Sequence, residues 1–350
     1  MENVRISRQI KAGNVLIGGG APVTVQSMLN RPAHDIEGSV AQAKALENAG
    51  CEIIRAAVPD MQAVALIEAL KANVKIPVVA DIHFDYRLAL ASLDAGVDKI
   101  RINPGNIGSS EKVRAVADAC KNKGVPIRIG VNSGSVEKKL LEKYGGPTAE
   151  ALAESALGHA TLLEECNFFD TVISIKSSDV ATMIAAYRLV AARCDYPLHL
   201  GVTEAGTHNM ALIKSSVGIG SLLLDGIGDT IRVSMTDDPV REIEAGIDIL
   251  RAINVRCDSP TVVSCPTCGR TKIDLISLAN SVEQRLKGCN KPIKVAVMGC
   301  AVNGPGEAKE ADIGIAGGNG EALIFRKGEI LRKVSEETAL DELMKEIERL

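Results

Sequence analysis

Residues 77–103 read PVVADIHFDYRLALASLDAGVDKIRIN, and this stretch decides the fold. It opens on a Val-rich run at 77–81, passes through an Ala/Leu-rich segment with helical periodicity, and closes on a second β-branched run at 99–103, giving strand, helix, strand. The same unit recurs between residues 23 and 233. Strands are expected at 23–27, 53–55, 77–81, 99–103, 127–130, 171–176, 198–203 and 230–234. From Ser27 to Arg232 the seven intervals average about 29 residues, close to the roughly 31 per unit of a (β/α)8 barrel of about 250 residues. An N-terminal (β/α)8 TIM-type barrel is therefore expected, with an open doubly wound sheet as the alternative. The one long interval, between Arg128 and Lys176, contains Asn132-Ser133-Gly134-Ser135 and Tyr144-Gly145-Gly146-Pro147, which predicts an additional helix and an elaborated loop. A last helix at 240–253 finishes the barrel. The glycine run Gly18-Gly19-Gly20 precedes the first strand rather than following one, so it reads as a hairpin turn and not as a nucleotide loop.

At 350 residues the chain exceeds one ordinary core. Beyond residue 260 its texture changes to Cys-rich turns, a helix at 272–286, a strand at 294–298, a Gly/Pro-rich turn and a helix at 336–350. The expected division is a barrel at 1–258 and a smaller α+β domain at 259–350, separated by the turn residues Asp258-Ser259-Pro260. Aromatic residues make up only 2% of the chain and the net charge is −4, so neither stacking platforms nor a basic surface for nucleic acid is expected. No apolar run reaches the length of a membrane span, and the first residues lead into no signal-peptide core. A cytoplasmic protein is expected, and its nine cysteines point to reduced thiols and metal ligation rather than to disulfides.

The strand ends carry the chemistry. They present Arg55, Asp81 with His83, Arg101 with Asn103, Arg128 with Asn132 and Ser133, Lys176, Thr203 with Glu204, and Arg232 with Ser234. In a barrel these positions form the C-terminal mouth, where active sites lie. Five cations on one rim, with too few carboxylates to neutralise them, call for an anionic ligand such as a diphosphate, whose oxygens suit arginine forks. Each cation alone could instead pair with a loop carboxylate or reach to water. Glu204 is the candidate acid or base, and His83 a donor to phosphate or a proton carrier.

The second domain contains Ser264-Cys265-Pro266-Thr267-Cys268-Gly269-Arg270 and Met298-Gly299-Cys300-Ala301-Val302-Asn303-Gly304-Pro305-Gly306-Glu307, with 31 residues intervening between Cys268 and Cys300. Cysteines at i and i+3 let two sulfurs face one metal centre, and a strand ending at Cys300 brings a third. An iron–sulfur cluster and zinc both fit this spacing. Zinc would need Cys257 or Cys289 as a fourth thiolate, because no histidine follows His208. Most of the remaining cysteines, at 51, 120, 166, 194, 257 and 289, are expected to serve as small core residues.

These motifs, together with Val25-Gln26-Ser27-Met28, Ile54-Arg55-Ala56-Ala57-Val58-Pro59, Ala80-Asp81-Ile82-His83-Phe84-Asp85 and Arg101-Ile102-Asn103-Pro104-Gly105-Asn106, resemble the 4-hydroxy-3-methylbut-2-enyl diphosphate synthase family of the non-mevalonate isoprenoid route, in its short two-domain bacterial form. The resemblance runs almost end to end. It implies a 4Fe-4S cluster on Cys265, Cys268 and Cys300 with Glu307 as the fourth ligand. It also implies two-electron reduction of 2-C-methyl-D-erythritol 2,4-cyclodiphosphate, with ring opening and loss of a hydroxyl as water. Arg55, Arg101, Arg128, Lys176 and Arg232, with Asn103, Asn132, Ser133 and Ser234, would hold the cyclic diphosphate. Glu204 would help the hydroxyl leave, while Asp81, His83 and Thr203 would complete the pocket. Electrons would come from flavodoxin or ferredoxin, and the family forms homodimers. The competing readings are a phosphate-binding lyase or condensing barrel with a structural zinc domain, and a non-catalytic iron–sulfur carrier.

Overall fold

A computed structural model describes residues 4–301, 306 and 308–350, and its chain divides into two compact units, Met1–Ile253 and Asn254–Leu350. The division follows the helix Pro239–Ala252 and falls at Asn254, whose φ of 56° is the left-handed conformation that closes many helices.

In the first unit a short hairpin, β1 (Ile10–Ala12) and β2 (Val15–Ile17), precedes the barrel strands β3 (Thr24–Met28), β4 (Ile53–Ala57), β5 (Val78–Asp81), β6 (Lys99–Ile102), β7 (Ile127–Asn132), β8 (Thr171–Lys176), β9 (His199–Leu200) and β10 (Thr230–Ile231). Among the described residues the sheet order is β8-β7-β6-β5-β4-β3-β10-β9, all parallel. A parallel bridge from Ile173 to Leu198, just ahead of β9, joins the two ends into a ring. Helices between strands start where an Asp accepts from a first-turn amide: Asp35 from Gly38, Asp85 from Arg87, and Asp179 from Thr182. Such caps satisfy amides that the helix itself leaves unpaired.

The hairpin closes the N-terminal mouth. Ile10, Ala12 and Ile17 pack against Ile53, Val79 and Val172, and burying Ile10 and Ile17 contributes roughly 1.5–3 kcal/mol each. Its turn lies at Gly13-Asn14, where Gly13 has φ +55° and an added Cβ would stand 2.8 Å from Asp98 Oδ1. The turn expected at Gly18-Gly19-Gly20 exists as a separate bend, with the Ala21 amide donating to the Gly18 carbonyl at 3.1 Å. The hairpin does not reverse there.

Two barrel strands are shorter than expected. The ladder between β9 and β10 ends where Arg232 N donates to Leu200 O at 2.9 Å. Gly201 lies so close to the Arg232 carbonyl that a Cβ would meet its oxygen at 2.7 Å. Asn103 belongs to no strand: its side chain accepts from Gly105 N and caps the short helix Pro104–Ile107. The long interval holds a 3-10 turn at Ser133–Ser135 and the helix Lys138–Tyr144 before the helix Ala149–Glu164.

The second unit is a sheet of β11 (Thr261–Ser264), β12 (Lys294–Met298), β13 (Ile313–Gly317), β14 (Glu321–Arg326) and β15 (Glu329–Ser335), in that order among the described residues. β11, β12 and β13 run parallel, while β14 and β15 return antiparallel. Helices Leu275–Leu286 and Ala339–Glu348 cover one face through Leu275, Val282, Leu286, Leu343 and Ile347. Cys257 is exposed and Cys194 and Cys289 half-buried, whereas Cys51, Cys120 and Cys166 fill cores as expected.

Candidate functional site

Each barrel strand alternates its side chains between inside and outside, so the last inward residue of every strand meets the others at the C-terminal mouth. There Arg55, Asp81, His83, Arg101, Arg128, Gly130, Asn132, Ser174, Lys176, Thr203 and Arg232 line a cavity of about 180 Å³. The five cations expected from the sequence all reach it.

Asp81 organises the middle of the site. Almost wholly buried, it accepts from Arg101 Nη1 at 3.0 Å, stands 3.5 Å from Arg55 Nε and meets His83 Nε2 at 3.3 Å. Burial favours its protonated form, yet Arg55 first, then His83 and Arg101, hold its carboxyl well below the ordinary range. Arg55 itself is lowered to about 10, because burial and the neighbouring Arg232 and Arg101 outweigh the pull of Asp81. Its Nε and Nη2 also point at Met28 Sδ, at 3.0 and 2.7 Å, a weak acceptor for a guanidinium.

Arg101 lies across the backbone of β7. Its Nη2 donates to the Gly130 carbonyl at 3.4 Å, and a Cβ on Gly130 would stand 2.4 Å from its Nε. Arg128 is buried, with Nη1 directed at Gln26 Oε1 at 3.4 Å and no hydrogen-bond partner for Nε among the described residues. Burial, then Arg55 and Arg232, push Lys176 well below its ordinary value. Arg232 Nη2 meets both oxygens of the buried Glu242 at 3.4 Å, and the same carboxylate accepts from Met235 N at 3.0 Å and Ser27 Oγ at 3.1 Å. Arginine loses its proton only with difficulty, so four guanidiniums face two carboxylates, Asp81 and Glu242. The cavity carries an excess of positive charge.

The remaining expected residues divide. Asn132 and Thr203 line the cavity and His83 stands at its mouth, largely exposed. Asn103 does not line it: its Nδ2 donates to Ser135 Oγ at 3.3 Å and ties the loop after β6 to that after β7. Ser133 lies in the turn after β7 and Ser234 is half-buried beyond β10, both outside the lining. Glu204 is exposed and held at φ +51°, a left-handed conformation that is uncommon for a non-glycine residue and accumulates at functional loops. Gln26, Gly130, Ser174 and Glu242 were not anticipated. Gln26 could have been read from a polar residue inside an apolar strand; Glu242, within an ordinary amphipathic helix, carries no such signal.

In the second unit Cys265 follows β11 directly and Cys300 follows β12, two adjacent parallel strands. Gly299 N donates to Cys265 Sγ at 3.2 Å. Thr271 binds back to the Cys268 turn through its amide and its hydroxyl, and the Arg270 amide, then its side chain, hold the Cys268 thiol below its ordinary value. Three thiols, with amide donors at two of them and one accessible and acidified, suit an iron–sulfur centre. Among the described residues no three His, Cys, Asp or Glu side chains converge on a single metal ion. Glu307 lies outside the described residues.

The fold and the cavity together define a (β/α)8 barrel with a cation-lined C-terminal mouth, followed by a second unit that bears the paired cysteines. Residues 7–247 match the family model described as GcpE TIM-barrel domain, and residues 261–349 match GcpE protein C-terminal domain. This chain belongs to that family. It is 60% identical over 348 residues to a 4-hydroxy-3-methylbut-2-en-1-yl diphosphate synthase (flavodoxin) of Clostridium perfringens, covering 99% of this chain and 100% of that one. To the enzyme of the same name from Caldanaerobacter subterraneus it is 58% identical, over 99% of this chain and 98% of the relative. In fold alone it is similar to dihydropteroate synthase from Stenotrophomonas maltophilia, with TM-score 0.53 and 14% identity over 71% of this chain and 97% of that one. No helix among the described residues is long and apolar enough to cross a membrane.

Proposed function

We propose that this chain is a flavodoxin-dependent oxidoreductase that opens the ring of 2-C-methyl-D-erythritol 2,4-cyclodiphosphate and removes a hydroxyl as water, giving 4-hydroxy-3-methylbut-2-enyl diphosphate. The observation that carries the reading is the cavity lined by four guanidiniums and a lysine, in which Asp81 is the one carboxylate of the lining and the buried Glu242 pairs with Arg232 from outside it, in a chain that matches synthases of this name along its whole length.

Arg55, Arg101, Arg128, Lys176 and Arg232 grip the diphosphate oxygens, with Asn132, Thr203 and Ser174 as neutral donors. Asn103 and Ser133 hold the loops after β6 and β7 in place, and Ser234 continues the rim beyond β10. Asp81 keeps Arg55 and Arg101 aimed and binds His83, which closes the mouth over the anion and can pass it a proton. Glu204 gives the departing hydroxyl its proton. Cys265, Cys268 and Cys300 hold a 4Fe-4S cluster with Glu307 as the fourth, harder and more readily displaced ligand; when bound, the cluster supplies one electron at a time and a Lewis-acidic iron. Flavodoxin delivers those electrons, with ferredoxin as the alternative donor, and the working form is a cytoplasmic homodimer.

Anaerobic assay with the cyclic diphosphate and reduced flavodoxin tests the reading. Turnover supports it; an intact cluster with no binding of the cyclic diphosphate favours a non-catalytic carrier and sinks it.

A further inference from the structure

Below the cavity the barrel interior remains cationic. Lys99 precedes Arg101 by two residues on β6, so both side chains leave the strand on the same side, Arg101 into the cavity lining and Lys99 one layer deeper. Lys99 is fully enclosed, its Nζ has no hydrogen-bond partner among the described residues, and the charged groups that act on it are the guanidiniums of Arg128 on β7 and Arg55 on β4. His199 on β9, equally enclosed, faces Lys99 as well as Arg128 and Lys176, and its Nδ1 is engaged with Thr230 Oγ1 at 2.5 Å. On β5 the residue directly beside Lys99 is Val79, and the next carboxylate along that strand, Asp81, is committed to Arg55 and Arg101. β3 contributes the uncharged Gln26, β8 contributes Lys176, and Arg232 beyond β10 already pairs with Glu242. No carboxylate answers Lys99 among the described residues.

A buried ammonium beside two guanidiniums with no anion is among the costliest arrangements a core can hold. Arginine keeps its proton, whereas a lysine surrenders one readily when buried. A diphosphate in the cavity opposes that positive field from above. We propose that Lys99 is an internal proton acceptor: neutral in the ligand-free barrel, it takes one proton from solvent when a diphosphate binds, and its ammonium then forms a second tier of positive charge beneath the anion. Burial, followed by Arg128 and Arg55, displaces its titration in the matching direction. The inference rests on the anion reading of the cavity and adds a residue that touches no ligand; Lys99 is a positioning residue.

Isothermal titration calorimetry tests it on the anaerobically purified holoenzyme, without reductant so that nothing turns over. The cyclic diphosphate, and inorganic pyrophosphate as a second probe, are titrated in buffers of different ionisation enthalpy. The wild type is expected to take up about one proton more than Lys99→Met. Above neutral pH its Kd is expected to rise more steeply than the variant's, by about tenfold per pH unit. A mere packing defect raises Kd equally at every pH. Lys176→Met loses a direct contact with the anion and any proton Lys176 itself takes up, yet is expected still to take up about one proton more than the Lys99→Met/Lys176→Met double variant. Should Lys99→Met fail to fold, Lys99→Arg carries a permanent charge and is expected to bind without the uptake. Equal uptake in the wild type and the Lys99 variants overturns the proposal, as does uptake lost in Lys176→Met and kept in Lys99→Met. No saturable binding by the wild type refutes the anion reading itself, before any variant is compared.

Discussion

Replacing Gly130 with alanine adds one methyl group to the barrel and changes no charge. That methyl would stand 2.4 Å from Arg101 Nε, 2.6 Å from Nη2 and 2.9 Å from Cζ, so the guanidinium must move. Because it is the far end of a flexible side chain, it can swing aside without moving the backbone, and Gly130 lies within β7, a conformation alanine adopts freely. The cost to folding is therefore confined to the 3.0 Å bond from Arg101 Nη1 to Asp81, a charge-assisted hydrogen bond of about 1.5–3 kcal/mol, part of which Asp81 recovers through Arg55 and His83. A net loss of about 1–2 kcal/mol in stability is expected. Binding suffers more, since one of four guanidiniums no longer faces the anion. Losing a desolvated charge contact costs about 2–3 kcal/mol, or roughly 30- to 150-fold in Kd. Calorimetry with the cyclic diphosphate gives Kd, denaturant melts give stability, and iron content is expected to match the wild type. If Gly130→Ala binds within threefold of the wild type, Arg101 is not held over Gly130 to meet a ligand, and the anion reading of that side of the cavity fails.

Glu242→Gln removes the carboxylate beside Arg232 while leaving the cavity lining intact; thermal melts are expected to show a loss of about 2–4 kcal/mol in the free protein and a larger stabilisation by substrate than in the wild type, because the diphosphate then supplies the missing anion. Asp81 has a depressed folded-state pKa, so its contribution to stability is present above the ordinary carboxylate range and is lost as pH falls below about 4; in Asp81→Asn the acid-side decline measured by circular dichroism is expected to be shallower. Glu204→Gln is expected to lower kcat by about 10²- to 10⁴-fold with Kd unchanged, as read by single-turnover kinetics and calorimetry. Cys300→Ser is expected to eliminate the visible absorption of the cluster, whereas Glu307→Ala leaves a labile or iron-depleted cluster and little activity.

The barrel was legible because its strands are buried on both sides and are written as plain runs of Val and Ile, such as Val78-Val79-Ala80, set apart by helices of regular period. Its polar ends were legible for the same reason: a charge closing an apolar run has no surface to reach except the mouth. The second unit was less readable. β13 reads Ile-Gly-Ile-Ala-Gly, which resembles a turn until its neighbours are known; Gly314 is required there because Phe325 and Ala296 pack where its side chain would be. β15 is exposed along most of its length and owes its conformation to the ladder with β14, a contact that local sequence does not encode. Glu242 and Gly130 escaped for a common reason. Each acts through a neighbour on another element: Gly130 meets Arg101 across the β6–β7 pair, and Glu242, ten residues beyond Arg232, also meets Ser27 of β3, which only closure of the ring brings beside it.

The central claim, that a cation-lined barrel works with a cluster on Cys265, Cys268 and Cys300, is tested most directly on protein purified without oxygen: iron, acid-labile sulfide and zinc are counted per chain, and the same sample is assayed with the cyclic diphosphate and reduced flavodoxin. The expected result is about four irons and four sulfides per chain, with formation of 4-hydroxy-3-methylbut-2-enyl diphosphate. One air-stable zinc per chain with no labile sulfide, and no turnover, would contradict it.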